Sequence, residues 1–194
     1  ASASWEETLR VLGVTKEPVR VDLTVSYRTP EEVLRFAQPT LKAAMPTLQP
    51  PEPIRRTGVE PRAVVATGDF HEALVLTVRE ELEAVNGGRM AVIVTTMRVG
   101  EIVAALRAGG LNAVDPDEVP EVGLTAEVVV VAAEGANGLE FDGVVVVEPS
   151  EIASRGGAPG SVTPRGLRTL YVSLTRPTRR LALVHSRPLP PTLQ

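Results

Sequence analysis

Two carboxylates stand two residues apart in Ala136-Asn137-Gly138-Leu139-Glu140-Phe141-Asp142, directly before the valine run Val144–Val147. On a strand, Glu140 and Asp142 share a face, a spacing that suits acid–base work, a ligand contact or a structural cap. Gly138 lets backbone approach a bound group closely. Two arginines add a second chemistry. Arg28 lies in Ser26-Tyr27-Arg28-Thr29-Pro30, and Arg176 closes Leu170-Tyr171-Val172-Ser173-Leu174-Thr175-Arg176. A planar guanidinium binds phosphate oxygens in pairs. Structural roles stay open beside these: an ion-pair partner for Glu140, a surface arginine for Arg28, and for Arg176 a charge answering a helix dipole.

Other chemistries are excluded or lack support. The chain has no cysteine, so disulfides, thiolate metal sites and a cysteine nucleophile are out. His71 and His185 are far apart and read as ordinary surface or core residues, so no metal site is expected. Neither G-x-x-x-x-G-K-[ST] nor G-x-G-x-x-G occurs, nor does G-x-S-x-G. No run of eighteen apolar residues is present, and Ala1–Glu7 lacks the features of a signal peptide, so a cytoplasmic, membrane-free protein is expected. The net charge is −4, but the last acid is Glu151. Beyond it come Arg155, Arg165, Arg168, Arg176, Arg179, Arg180 and Arg187, so the last part carries +7 and the first 151 residues −11. Such a pole suits an anionic partner or a solvated basic face.

The elements that must position these residues alternate. With 194 residues, 43% of them hydrophobic, one α/β domain is expected. Trp5–Leu12 reads as a short helix ended by Gly13, and Val21–Val25 as a strand. Thr29 fits an N-cap, Pro30 the first helical position and Glu32 a capping box, opening a helix through Leu41. Residues 46–61 form a proline-rich connector. Strands are expected at Ala63–Ala66, Met90–Val94, Asn112–Val114, Glu127–Ala132, Val144–Val147 and Leu181–His185. Helices are expected from the Asp69/Glu72 capping box to Val85, over Val99–Ala108 and over Pro164–Thr175. Asp115–Gly123 is acidic and loop-like, 156–161 a flexible loop and 186–194 a loose tail. This alternation predicts a mostly parallel sheet with its ligands at the carboxyl ends of the strands.

The segments bearing Arg28, Glu140 and Arg176 occur in an order that resembles motifs four, five and six of superfamily 1 helicases of the UvrD/Rep type. Those families carry Asn-Tyr-Arg-Ser-like, Lys-Gly-Leu-Glu-Phe and Tyr-Val-Ala-Leu-Thr-Arg-Ala-like segments. Met90–Gly110 also resembles their intervening strand–helix unit, so the likeness runs from about Val21 to His185. It implies one second, C-terminal RecA-like motor domain over residues 1–194, three-layered and without its own phosphate loop, with 1–20 as helix and lead-in. ATP with Mg²⁺ would lie between it and an N-terminal motor domain that supplies the phosphate loop and the metal-binding acids. Arg28 and Arg176 would be arginine fingers and Glu140 would hold the ribose hydroxyls. Gly138, Tyr27 and Thr175 would complete the nucleotide contacts. ATP hydrolysis is then expected of the full-length protein and not of this chain alone.

The departures from that pattern point to a subgroup. The Lys before Gly-Leu-Glu is Asn137 here, and the His of a Thr-x-His that grips single-stranded DNA is Glu134. The long insertion of UvrD-type enzymes is absent, with only Leu111–Ala126 in its place. Val144-Val145-Val146-Val147-Glu148-Pro149 and Thr163-Pro164-Arg165-Gly166-Leu167 look more like HelD-type ATPases, which act on RNA polymerase. RNA polymerase is therefore the expected partner, with DNA as the alternative if the protein unwinds strands. A non-catalytic interaction module is a third reading, against which the retention of Arg28, Arg176 and Glu140 speaks.

Overall fold

The computed structural model describes residues 9–13, 24–117, 126–158 and 160–194. Its centre is a six-stranded sheet of β3 (Arg62–Val65), β4 (Met90–Val94), β5 (Ala113–Val114), β6 (Val128–Ala132), β7 (Phe141–Val147) and β8 (Pro177–His185). The spatial order is β3-β8-β7-β4-β6-β5, and every neighbouring pair is parallel. Parallel strands covered on both faces need near-continuous apolar runs, which is why the valine-rich segments fill the middle. A separate parallel pair joins β1 (Val25–Ser26) to β2 (Glu52–Pro53) within the connector.

The two faces divide the strand side chains by parity. Ala91 and Ile93, Val129 and Val131, Val144 and Val146, and Leu181 and Leu183 pack under α1 (Glu31–Ala44), α4 (Pro149–Ala153) and α5 (Pro164–Leu174). Met90, Val92 and Val94, Val128 and Val130, and Val145 and Val147 pack under α2 (Phe70–Val85) and α3 (Val99–Ala108). The result is the expected three-layer α/β architecture. Among the described residues no helix is long and apolar enough to cross a membrane.

Local expectations hold where the sequence supplies its own cap. Asp69 accepts a hydrogen bond from the Glu72 amide and starts α2, and Asn86 ends it in the left-handed conformation at φ 47°. Thr163 caps α5 by accepting from the Gly166 amide. Leu9–Val11 is helical and Gly13 follows at φ 68°, matching the described part of the first predicted helix. Most of the Val21–Val25 strand and part of the acidic loop at 115–123 lie outside the described residues.

Two expectations are corrected. The capping box at α1 does not form. Pro30 occupies the cap position, and no side chain caps the helix. Glu32 is drawn instead to the connector, where it accepts from the amides of Thr57 and Gly58 and from the Thr57 hydroxyl. Residues 186–194 are not a loose tail. Thr40 donates to Thr192 at 3.0 Å, residues 191–193 form a 3₁₀ turn, and Leu193 is buried with the α1 and α5 side chains. An apolar residue near the end of a chain gains as much from burial as one in the middle.

Candidate functional site

Three loops meet in a cleft of about 340 Å³ lined by Val25–Thr29, Pro51, Glu140 and Thr175–Thr178. Tyr27 and Arg28 lie on the loop leaving β1. Glu140 lies on the loop entering β7, and Thr175 and Arg176 on the loop entering β8. The cleft is therefore at the amino ends of β7 and β8. This corrects the expectation of a site at the carboxyl ends, because two of the three motif segments lead into a strand instead of leaving one.

Arg28 and Glu140 form an ion pair across the cleft mouth, with side chains 53% and 38% exposed. Arg28 also receives Tyr27 as a neighbour: its Nη2 donates to the Tyr27 hydroxyl at 3.1 Å, and its guanidinium lies 5.2 Å from the ring centroid. Arg176 is held differently. Its Nε donates to the Val172 carbonyl at 2.9 Å and its Nη1 to the Leu139 carbonyl at 3.3 Å. Among the described residues no carboxylate pairs with it. Burial lowers the pKa of Arg176, the Tyr171 hydroxyl opposes that shift, and the positive charge of Arg28 adds to it. Burial raises the pKa of Tyr171, against the nearby charge of Arg176. Arg176 is thus a half-buried cation with backbone dipoles for company and a second cation within electrostatic reach.

The loops are joined beneath these charges. Thr29 Oγ1 donates to the Thr175 carbonyl at 3.2 Å, and the Phe141 amide donates to the Arg176 carbonyl at 3.3 Å. Gly138 has φ 79°, and nothing lies within 4 Å of where a Cβ would stand. Its turn needs glycine for conformation, and its exposed side is open to a partner.

Glu140 and Asp142 do not form a shared acid–base pair. Glu140 stands before β7, whereas Asp142 is on it and accepts from the Arg89 amide at 2.9 Å. Gly88 makes that contact possible, since a Cβ there would lie 2.7 Å from the Asp142 side chain. Arg89 was not singled out by sequence, yet its guanidinium lies 5.9 Å from the Phe141 ring centroid and its Nη2 reaches the Glu140 carbonyl at 3.5 Å. Its position after Gly87-Gly88 reads only as a helix-ending turn.

Three of the seven arginines beyond Glu151 are spent on ion pairs within the fold. Arg155 pairs with Glu134, Arg180 with Glu81 and Arg187 with Glu151. Glu134 lies beyond β6, at the carboxyl end of the sheet and away from the cleft. It receives both Arg155 at 2.7 Å and the Thr96 hydroxyl at 3.1 Å. Among the described residues no group of histidines and carboxylates could hold a metal ion.

No family model and no curated protein matches the chain. Among solved structures, it is similar to the C-terminal domain of a possible DNA helicase from Lactobacillus plantarum WCFS1. The TM-score is 0.63 at 22% identity, covering 87% of this chain and 92% of that one. A likeness at that identity establishes the fold. The helicase domain of Pyrococcus furiosus Hef aligns over 60% of this chain and 24% of its own, at 19% identity and a TM-score of 0.40.

Proposed function

We propose that the cleft is half of an ATP site and that the intact protein is a helicase-like ATPase of the HelD type, remodelling or recycling RNA polymerase. The observation that carries the reading is Arg176, a half-buried guanidinium with carbonyl partners only, set beside Arg28 at the mouth of an open cleft. Two cations converging on one space offer charge to a transferring phosphoryl group, where an arginine finger contributes about a thousandfold or more in rate. Glu140 supplies an acceptor for ribose hydroxyls once Arg28 turns from it to phosphate. That exchange is cheap, because an exposed ion pair is worth roughly 0–1 kcal/mol.

The donor set fits the anionic and ribose parts of the nucleotide and does not fit Mg²⁺. Its one carboxylate is engaged by Arg28, and its other charged groups are arginines. The metal and the phosphate loop therefore belong to an N-terminal motor domain facing this cleft, and this chain by itself leaves ATP intact. In the full-length protein, Arg28→Ala and Arg176→Ala each lower kcat by about a thousandfold with little change in nucleotide affinity. Wild-type turnover in both variants would refute the assignment.

Glu134 favours polymerase over strand unwinding. An acid locked to Arg155 and Thr96 presents no cation or ring to a DNA strand at the position where DNA-gripping relatives carry histidine. The full-length protein is expected to co-purify with RNA polymerase and to leave a tailed duplex paired. Duplex unwinding without polymerase association would instead place it with the DNA-unwinding repair helicases.

A further inference from the structure

Thr29 makes a contact that its local sequence does not suggest. It precedes a helix and a proline, as a cap does, yet α1 begins without a side-chain cap, and the Glu31 amide is taken by the Arg55 carbonyl at 2.8 Å. The Thr29 hydroxyl crosses the floor of the cleft to the carbonyl of Thr175, 146 residues away. Thr29 is 9% exposed, so this bond is largely shielded from water.

The Thr175 end of the bond is tied to a helix. Thr175 closes α5, with its amide donating to Tyr171 at 3.1 Å and Val172 at 3.2 Å, and its own hydroxyl donating to the same two carbonyls. The next residue is Arg176, whose Nε is bound to Val172. On the other side, the residue before Thr29 is Arg28. The hydroxyl therefore bridges the immediate neighbours of the two arginines, one on each wall.

We infer that Thr29 is a positioning residue for phosphoryl transfer: its hydroxyl, bound to the Thr175 carbonyl, holds the Arg28 and Arg176 loops at the separation at which both guanidiniums face one phosphate. The inference rests on the ATP-site reading above. Displacement of a catalytic cation by a fraction of an ångström to one ångström costs rate more than binding, so the signature is in kcat.

The test is steady-state ATP hydrolysis by the full-length protein carrying Thr29→Val, Thr29→Ser, Arg28→Ala and the Thr29→Val/Arg28→Ala pair. Valine keeps the shape and removes the donor; serine keeps the donor. Thr29→Val should lower kcat about tenfold, as the loss of one sheltered hydrogen bond at the transition state would, with nucleotide KM within about twofold of wild type. Thr29→Ser should recover most of that loss. Added to Arg28→Ala, Thr29→Val should cost much less than it does alone, because its effect runs through the arginines. Wild-type kcat in Thr29→Val, with Arg28→Ala impaired, overturns the positioning role and leaves the site reading standing. So does an equal loss in Thr29→Ser and Thr29→Val, which would mark a packing effect. Wild-type kcat in both Arg28→Ala and Arg176→Ala removes the site reading, and the role of Thr29 with it.

Discussion

At the scale of single residues, charge pairing decides what each acid can do. Glu101 shows the principle away from the cleft. Arg98 donates to it through Nε at 3.1 Å and Nη2 at 2.9 Å, and His71 Nε2 lies 2.8 Å away. The Arg98 hydrogen bonds are the main reason its pKa falls from 4.5 to about 2. A carboxyl depressed on folding stabilises the native state above its unfolded pKa, and that contribution drains away as pH falls from 4.5 towards 2. Glu101 is partly exposed, so solvent screening reduces the contribution to about 1 kcal/mol. Glu101→Gln should flatten the stability profile over that acid range and lower the plateau above it, as read by urea unfolding at a series of pH values. The same logic separates Glu140 from Asp142. One faces Arg28 and an open cleft; the other lies on β7 and accepts from the Arg89 amide.

At the scale of elements, buried polar contacts fix how helices meet strands. Glu81 on α2 is 2% exposed and accepts from Arg62 of β3 at 2.7 Å and Arg180 of β8 at 2.6 Å. One carboxylate thus ties a helix to two neighbouring strands, on the strand that Arg176 leads into. Arg62 and Arg180 reach solvent and can rehydrate when it is removed. Glu81→Ala should therefore cost about 2 kcal/mol, below the ~3–5 kcal/mol typical of breaking a fully buried pair. Chemical denaturation measures this, and an unchanged midpoint would show the triad to be ornamental. Glu32 plays a comparable part for the connector. Burial opposes its ionisation, but its own amide, those of Gly58 and Thr57, and the Thr57 hydroxyl hold its pKa below the usual range. That competition is what diverts it from the capping box its spacing suggests.

At the scale of the whole molecule, the parallel sheet sends its two ends to different purposes. The amino ends of β7 and β8 carry the arginine cleft, and the carboxyl ends carry the internally paired Glu134, Glu148 and Glu151. The chain then returns from β8 across one face. Glu148, buried with φ 45°, accepts from the Ser186 amide and hydroxyl and so aims the last residues towards α1. Leu193 ends that path in the core. Leu193→Ala should destabilise the protein by about 2 kcal/mol, as core leucine truncations do. A loose tail would show no change in the unfolding midpoint.

By itself the sequence determined what local chemistry controls. Valine runs set the buried strands, Asp69 and Thr163 set helix starts, and Asn86 set a helix end. The resemblance of the three segments to helicase motifs singled out Arg28, Glu140 and Arg176, and the fold brings them into one cleft. Tertiary structure decided everything that depends on partners distant in the chain. Thr29 spends its hydroxyl on Thr175, Glu32 turns to Thr57 and Gly58, and Arg155, Arg180 and Arg187 find acids that precede them. The tail is ordered by a core that only the assembled sheet creates. A short polar side chain joins whichever partner the fold brings nearest, and no spacing along the chain records that.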